Sequence, residues 1–329
     1  MGYKGSILTL TLLAGIVFVA CTETEMAPTA TSAPTASTLV LSPTSPPTTT
    51  FTPSAIPPTS TASATPTLPP TRTATSTPTP TAVPATPTPR CTETQGRIQA
   101  GTFFSAIIGQ EQPYRVYLPP CYDFSDDLYP VLYMLHGYPF DDSHWDEIGI
   151  DETADIGFAE GTLPPFIIAM PAADNEGTYT NTSGGPRSFE AVMLDEFIPF
   201  IETTFRAVAT PEGRAIGGMS RGGVWSLEIA FRNPDRFVAV GGHSVALNVN
   251  RAPPVYDPLY LAADPAIRSL RIYLDTGAGD WVLPGMEELH AALAAANVAH
   301  DYNVFEGYHE DSYWSAHVED YLAFYTAGW

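Results

Sequence analysis

After Cys91 the chain alternates between two apolar patterns. Short continuous runs, Val131–Leu135 and Phe166–Met170, predict strands buried on both faces. Ala215–Met219, Phe237–Gly241, Arg271–Asp275 and Tyr302–Phe305 extend the series. Between them lie longer segments with apolar residues at helical spacing. One runs from Phe189 to Phe205, with Val192, Met193, Phe197, Ile198, Phe200 and Ile201 on its apolar face. Others cover Gly223–Phe231, Met286–Ala296 and Tyr313–Phe324. Ahead of all these, Thr102–Ile108 and Tyr114–Leu118 predict two strands around Gly109-Gln110-Glu111-Gln112. Strands alternating with helices predict an α/β fold with a mostly parallel sheet and helices on both faces.

The first ninety residues follow a different pattern. Ile7–Ala20 is an apolar run shorter than a membrane span and suited to a secretory signal. Val17-Phe18-Val19-Ala20-Cys21 resembles a bacterial lipoprotein cleavage box, with Phe18 where Leu is usual. Residues 1–21 are therefore expected to be a lipoprotein signal peptide and Cys21 the lipidated residue. Residues 22–90 are dominated by Thr and Pro, with few charges and almost no aromatics. Such a composition cannot bury enough apolar surface to offset its ordering entropy, and frequent Pro favours an extended spacer. The expected organisation is signal, linker and one catalytic domain over 91–329, exported and anchored to the outer face of the membrane or secreted.

Charge narrows the partners. The chain holds 36 acidic against 14 basic residues, a net −22, and only Glu23, Glu25, Lys4, Arg72 and Arg90 precede Cys91. A domain this acidic disfavours nucleic acid and anionic membrane surfaces, so the only membrane contact expected is the lipid anchor. With Cys21 lipidated, Cys91 and Cys121 remain as a pair in an oxidising compartment, which predicts a disulfide.

The chemistry concentrates where strands end, since ligands in open α/β sheets bind beyond the carboxyl ends. Gly218-Met219-Ser220-Arg221-Gly222 joins an apolar strand to a helical pattern, the context of a nucleophile elbow. A serine hydroxyl needs a base within hydrogen-bond reach, and the base needs an orienting acid. His309 follows the last strand in a Gly-flanked loop and is the expected base. His317 competes but falls inside the closing helix, and His144, His243, His290 and His300 lack comparable placement. Asp280, in the Gly-rich Gly277-Ala278-Gly279-Asp280 loop, is the expected acid. Asp275 is the alternative, with turn capping as its structural role. His136-Gly137-Tyr138 follows the third strand, so the backbone amides of Tyr138 and Arg221 are the expected oxyanion donors. His136 itself is expected to brace its loop. His136, Asp141, Asp142 and His144 also offer metal-ligand types, but in a loop without the i, i+4 spacing of a zinc pair, so no metal and no cofactor is expected.

These stretches together resemble the putative-esterase family of α/β-hydrolases, which includes feruloyl and acetyl-xylan esterases, esterase D and the secreted mycolyltransferases. The resemblance spans about Ser105 to Phe324 and rests on six stretches. They are Tyr117-Leu118-Pro119-Pro120, Tyr129–Gly137, Asp195–Ile201, Gly218–Gly223, Gly277–Asp280 and His309 with the following Tyr313-Trp314. It implies Ser220, Asp280 and His309 as triad and the Tyr138 and Arg221 amides as oxyanion hole. Arg221 stands where many relatives have Met, and Gly307-Tyr308-His309-Glu310-Asp311 lacks the Gly-His-Asp/Ser-Trp run of many members. The implied function is a serine carboxylic ester hydrolase acting on acetyl or hydroxycinnamoyl esters of polysaccharide, or on small esters. Acyl transfer to a sugar hydroxyl uses the same triad and is the alternative. An inactive carbohydrate-binding module is the second alternative, disfavoured by the complete Ser, Asp, His and His-Gly set.

Overall fold

A computed structural model describes residues 91–173, 184–249 and 251–329, all within one compact unit. The signal peptide, Cys21 and the linker lie outside the described residues.

Eight strands form one sheet in the order β1-β2-β4-β3-β5-β6-β7-β8. They are β1 Arg97–Ser105, β2 Gln110–Leu118, β3 Val131–Leu135, β4 Ile167–Pro171, β5 Arg214–Met219, β6 Ala239–His243, β7 Arg271–Gly277 and β8 Asp301–Phe305. The pairings β1–β2 and β2–β4 are antiparallel, and all others are parallel. The helices are α1 His144–Glu147, α2 Ile150–Glu160, α3 Phe189–Ala191, α4 Ile198–Thr204, α5 Ser220–Arg232, α6 Pro258–Leu261, α7 Leu283–Ala295 and α8 Asp311–Thr326.

The period-two geometry of a strand divides the core into two layers. Val131, Tyr133 and Leu135 join one cluster with α5 and α7, while Leu132 and Met134 join the other with α2 and α8. Both faces of β3 are thereby dry, as its unbroken apolar run requires. No helix among the described residues is long and apolar enough to cross a membrane.

Three elements depart from the sequence pattern. The hairpin strands are longer and the turn lies earlier, over residues 106–109, because the polar Gln110–Gln112 pair with Phe103–Ser105; Ile107 and Ile108 fall in the turn rather than the strand, and Gly109 closes it at φ +85°. The helix over 189–205 breaks into α3, a π-helical turn over Val192–Phe197, and α4. Pro199, second in α4, lacks the N–H that an unbroken α-helix would direct at Asp195, and the wider turn before it accommodates that loss. The strand expected at Phe237–Gly241 lies two residues later and ends on His243, whose β7 neighbour is Asp275.

Cys91 and Cys121 are joined by a disulfide, with Cα atoms 5.6 Å apart. Between them lies the β1–β2 hairpin, whose register pairs Arg97 with Leu118.

Candidate active site

Ser220 is the first residue of α5, immediately after β5. Its φ is +52°, a left-handed conformation that strains a non-glycine residue and turns the chain sharply from strand to helix. The turn is possible because neighbouring backbone closes in. A Cβ on Gly222 would lie 2.2 Å from the Leu135 carbonyl oxygen, so only glycine lets the elbow seat against the end of β3. Gly137 packs on the same spot, where an added Cβ would meet the Ser220 Cβ at 3.3 Å. Tyr138 therefore follows the residue that packs on Ser220, and Arg221 is the second residue of α5.

Two loops from adjacent strands supply the other groups. The loop after β7 turns through a hydrogen bond from the Asp280 amide to the Gly277 carbonyl, 3.0 Å. The loop after β8 carries Gly307, with φ +145°. The loops are bonded to each other: the Ala278 amide donates to the Phe305 carbonyl at 2.7 Å and the Gly279 amide to the Gly307 carbonyl at 2.9 Å. This pairing places Asp280 beside His309. The His309 Nδ1 lies 3.0 Å from both Asp280 carboxylate oxygens, and its Nε2 lies 2.9 Å from Ser220 Oγ. A carboxylate only accepts, so Nδ1 carries the proton and Nε2 presents its lone pair to the serine hydroxyl. Burial pushes the Asp280 carboxyl up, yet hydrogen bonds from His309 and the Val282 amide outweigh it and hold the group below its ordinary value. Asp280 thus stays ionised opposite the imidazole.

Aromatic rings frame this chain of bonds. Trp281 and Trp314 flank His309, with centroids 4.9 and 5.0 Å away, the second edge-on. Tyr138, Trp281 and Tyr308 are largely exposed. Arg221 extends over the Trp225 ring, 5.9 Å from its centroid.

The other sequence candidates go elsewhere. Asp275 is not a turn cap but lies inside β7, fully buried, because β7 continues to Gly277. Its carboxylate accepts from His243 Nδ1 at 2.7 Å and from the Tyr313 and Tyr321 hydroxyls at 2.8 Å each. The Tyr325 hydroxyl is 2.9 Å from His243 Nε2. It reaches that point through a slot made by Gly217 and Gly241, where added Cβ atoms would lie 1.7 and 1.9 Å from it. Burial, then the Asp275 charge, raises the Tyr313, Tyr321 and Tyr325 hydroxyls above their ordinary value. His317 stacks on Phe305 and pairs with Asp320. His136 braces its loop: Nε2 accepts from the Ala173 amide and Nδ1 donates to the Gly137 carbonyl, both at 2.8 Å. Asp141 accepts from Ser143, Asp142 pairs with Arg115, and His144 pairs with Asp311. The four metal-ligand types of that loop therefore turn to four separate partners. Trp281 follows Asp280 directly in the loop after β7, whereas His144 reaches the neighbourhood of the site through a partner 167 residues away.

The profile of the family described as Putative esterase matches residues 105–325. An esterase of Mycobacterium tuberculosis is 28% identical over 265 residues, 66% of this chain and 56% of that protein. An endo-1,4-beta-xylanase/feruloyl esterase of Xylanibacter ruminicola is 31% identical over 220 residues, 64% of this chain and 29% of that protein. The chain thus spans about half the length of the first curated relative, and less of the second. A solved ferulic acid esterase superposes with a TM-score of 0.65 at 26% identity, covering 71% of this chain and 98% of that one. An S-formylglutathione hydrolase from Staphylococcus aureus, 17% identical with a TM-score of 0.60, covers 70% of this chain and 99% of its own. At that identity it speaks to the fold alone. The fold is that of the α/β-hydrolases, and the chain belongs to the putative esterase family.

Proposed function

We propose that this protein is a serine carboxylic ester hydrolase that works through an acyl-enzyme, with Ser220 as nucleophile, His309 as base and Asp280 as orienting acid. The observation that carries the reading is the unbroken chain from Asp280 through His309 to Ser220 Oγ, ending on a serine held at φ +52°. His309 Nε2 takes the Ser220 proton as Oγ bonds to the acyl carbon. The carbonyl electron pair moves onto oxygen, where the Arg221 and Tyr138 amides receive the charge. Collapse expels the alcohol, which leaves with the proton now on His309. Water then repeats the sequence and releases the acid. Asp280 keeps Nδ1 protonated and offsets the charge of the imidazolium.

The acyl group is acetyl or hydroxycinnamoyl, carried on a neutral polysaccharide or a small alcohol. Exposed aromatic faces at Tyr138, Trp281 and Tyr308 suit a planar phenolic group or a sugar ring, and the acidic domain disfavours polyanionic esters. The Ile7–Ala20 run, Cys21 and the Thr/Pro-rich segment support export and tethering to the outer membrane face by a lipid on Cys21. The Cys91–Cys121 bond fits the same oxidising compartment.

The test is a panel of p-nitrophenyl acetate, methyl hydroxycinnamates and a matched anionic ester, run with and without a sugar acceptor. Hydrolysis of the neutral esters, with a Ser220-linked acyl group trapped by rapid quench, is expected. Turnover that needs the sugar acceptor would assign acyl transfer instead, and faster turnover of the anionic ester would overturn the charge argument.

A further inference from the structure

His144 is 1% exposed, while its partner Asp311 is 54% exposed. The pair sits between the two loops that the proposed chemistry needs at a fixed spacing. On one side, the Phe140 ring stacks on the His144 imidazole, with centroids 3.7 Å apart and planes 16° apart. Phe140 closes the loop of the proposed oxyanion donor, its amide bonded to the Gly137 carbonyl around Tyr138. On the other side, His144 Nε2 lies 2.9 Å from Asp311 Oδ1. Asp311 opens α8 two residues beyond His309. One turn later Trp314 meets both imidazoles edge-on, 6.1 Å from His144 and 5.0 Å from His309. Flanking bonds fix the base of this bridge. Trp145 Nε1 donates to the Leu135 carbonyl at the end of β3, and the Ser315 hydroxyl donates to the Ile148 carbonyl.

One buried imidazole therefore touches the loop that carries the Tyr138 amide and is bonded to the helix that follows the base. Asp311 offers a carboxylate, which only accepts, so His144 Nε2 carries the hydrogen of this bond. A hydrogen-bonded pair with one half-exposed partner adds little to stability. Its geometric effect is separate, because a sub-ångström change between oxyanion donor and base falls directly on the transition state.

We infer that His144 and Asp311 are positioning residues for ester hydrolysis, holding the Tyr138 loop and the His309 loop at the separation the tetrahedral intermediate requires. The inference rests on the triad reading above. The steady-state kinetics of Asp311→Ala, which removes the acceptor, on p-nitrophenyl acetate test it, with sites counted by fluorophosphonate titration of Ser220. Asp311 is the primary target because its exposure leaves folding intact. The expected result is a kcat per titrated site lower by on the order of tenfold, at unchanged KM. Asp311→Glu should recover part of it. His144→Asn should show the same kcat loss, and the double variant should lose no more than the worse single one, because the two act as one unit. Wild-type kcat per site in Asp311→Ala would overturn the inference while leaving the triad intact. A rise in KM alone would do the same, making the pair a substrate contact. Wild-type protein that neither hydrolyses the ester nor takes up the phosphonate would sink the triad reading, and the inference with it.

Discussion

Among the described residues, two histidine–aspartate pairs share one arrangement, with ring Nδ1 on the carboxylate and the far nitrogen on a hydroxyl, and only one of those hydroxyls belongs to the proposed nucleophile. In the first, His309 Nδ1 meets Asp280 at 3.0 Å, and the far nitrogen meets Ser220 Oγ. In the second, His243 Nδ1 meets Asp275 at 2.7 Å, and the far nitrogen meets the Tyr325 hydroxyl. Both aspartates come from the β7 region, five residues apart. The first pair hangs in loops beyond the sheet, with His309 partly open to solvent. The second is part of the sheet, where His243 and Asp275 are neighbours in register and neither is exposed. Its proton count also closes: Asp275 accepts three hydrogens, and His243 Nε2 accepts the fourth from Tyr325. A histidine–aspartate bond is thus a brace by default. It becomes a base when its far nitrogen meets a hydroxyl that substrate can reach.

Substitutions on each side of this comparison should have opposite signatures. Ser220→Ala removes the only nucleophile of the first pair, and kcat on p-nitrophenyl acetate should fall on the order of 10⁶-fold. A variant retaining a tenth of wild-type kcat would reassign the nucleophile. Asp280→Asn leaves His309 free to take the wrong tautomer and should cost on the order of 10⁴ in kcat, with little change in melting temperature. Asp275→Asn should do the reverse. It puts an N–H in place of one of two oxygens that accept from His243 and from the Tyr313 and Tyr321 hydroxyls, so urea denaturation should show a loss of roughly 2–3 kcal/mol, while kcat per titrated site stays near wild type. If the two asparagine variants exchange signatures, the assignment of brace and base is wrong. Tyr325→Phe strips the donor from His243 Nε2 and should cost about 1 kcal/mol by the same measurement, with no kinetic effect.

The smallest expected effect sharpens the contrast from a third carboxylate, one that lacks such donors. Burial, then a hydrogen bond shared with Glu152 and the Glu152 charge, pushes Asp151 up to about 7. Its raised value means the folded protein keeps a proton that the unfolded chain releases near pH 4. The stability it contributes is therefore present at acid pH and lost as pH rises from about 4 through 7. Asp151→Asn should flatten that part of the melting-temperature profile, and an unchanged slope would refute the assignment.

The sequence made the first pair legible and hid the second, for a physical reason. Ser220 and His309 are marked by local context: an apolar strand, a Gly-rich turn, then a helix or a Gly-flanked loop. Asp280 and Asp275 both follow the same apolar run, so their roles depended on where β7 stops. That boundary is set by pairing with β8 as far as Gly277, which no local residue announces. No local residue signals the role of His243, because its partners come from β7 and the closing helix. His144 reads in the sequence as a metal-ligand type in a loop, because its partner Asp311 lies 167 residues away. The α/β alternation was readable because buried parallel strands have a simple pattern. The π-helical turn was not, because Pro199 leaves the apolar spacing around it unchanged.

The disulfide also decides how tension would travel through the protein. A pull applied to the chain ahead of Cys91 crosses the sulfur–sulfur bond to Cys121 and enters the fold just before β3. The hairpin of β1 and β2 lies wholly within the covalent loop and carries none of that force. Without the bond, the same pull would act on β1, the outermost strand, and peel its antiparallel rungs from β2 one at a time. With it, the same pull reaches a central region of the sheet, and the edge strand is bypassed.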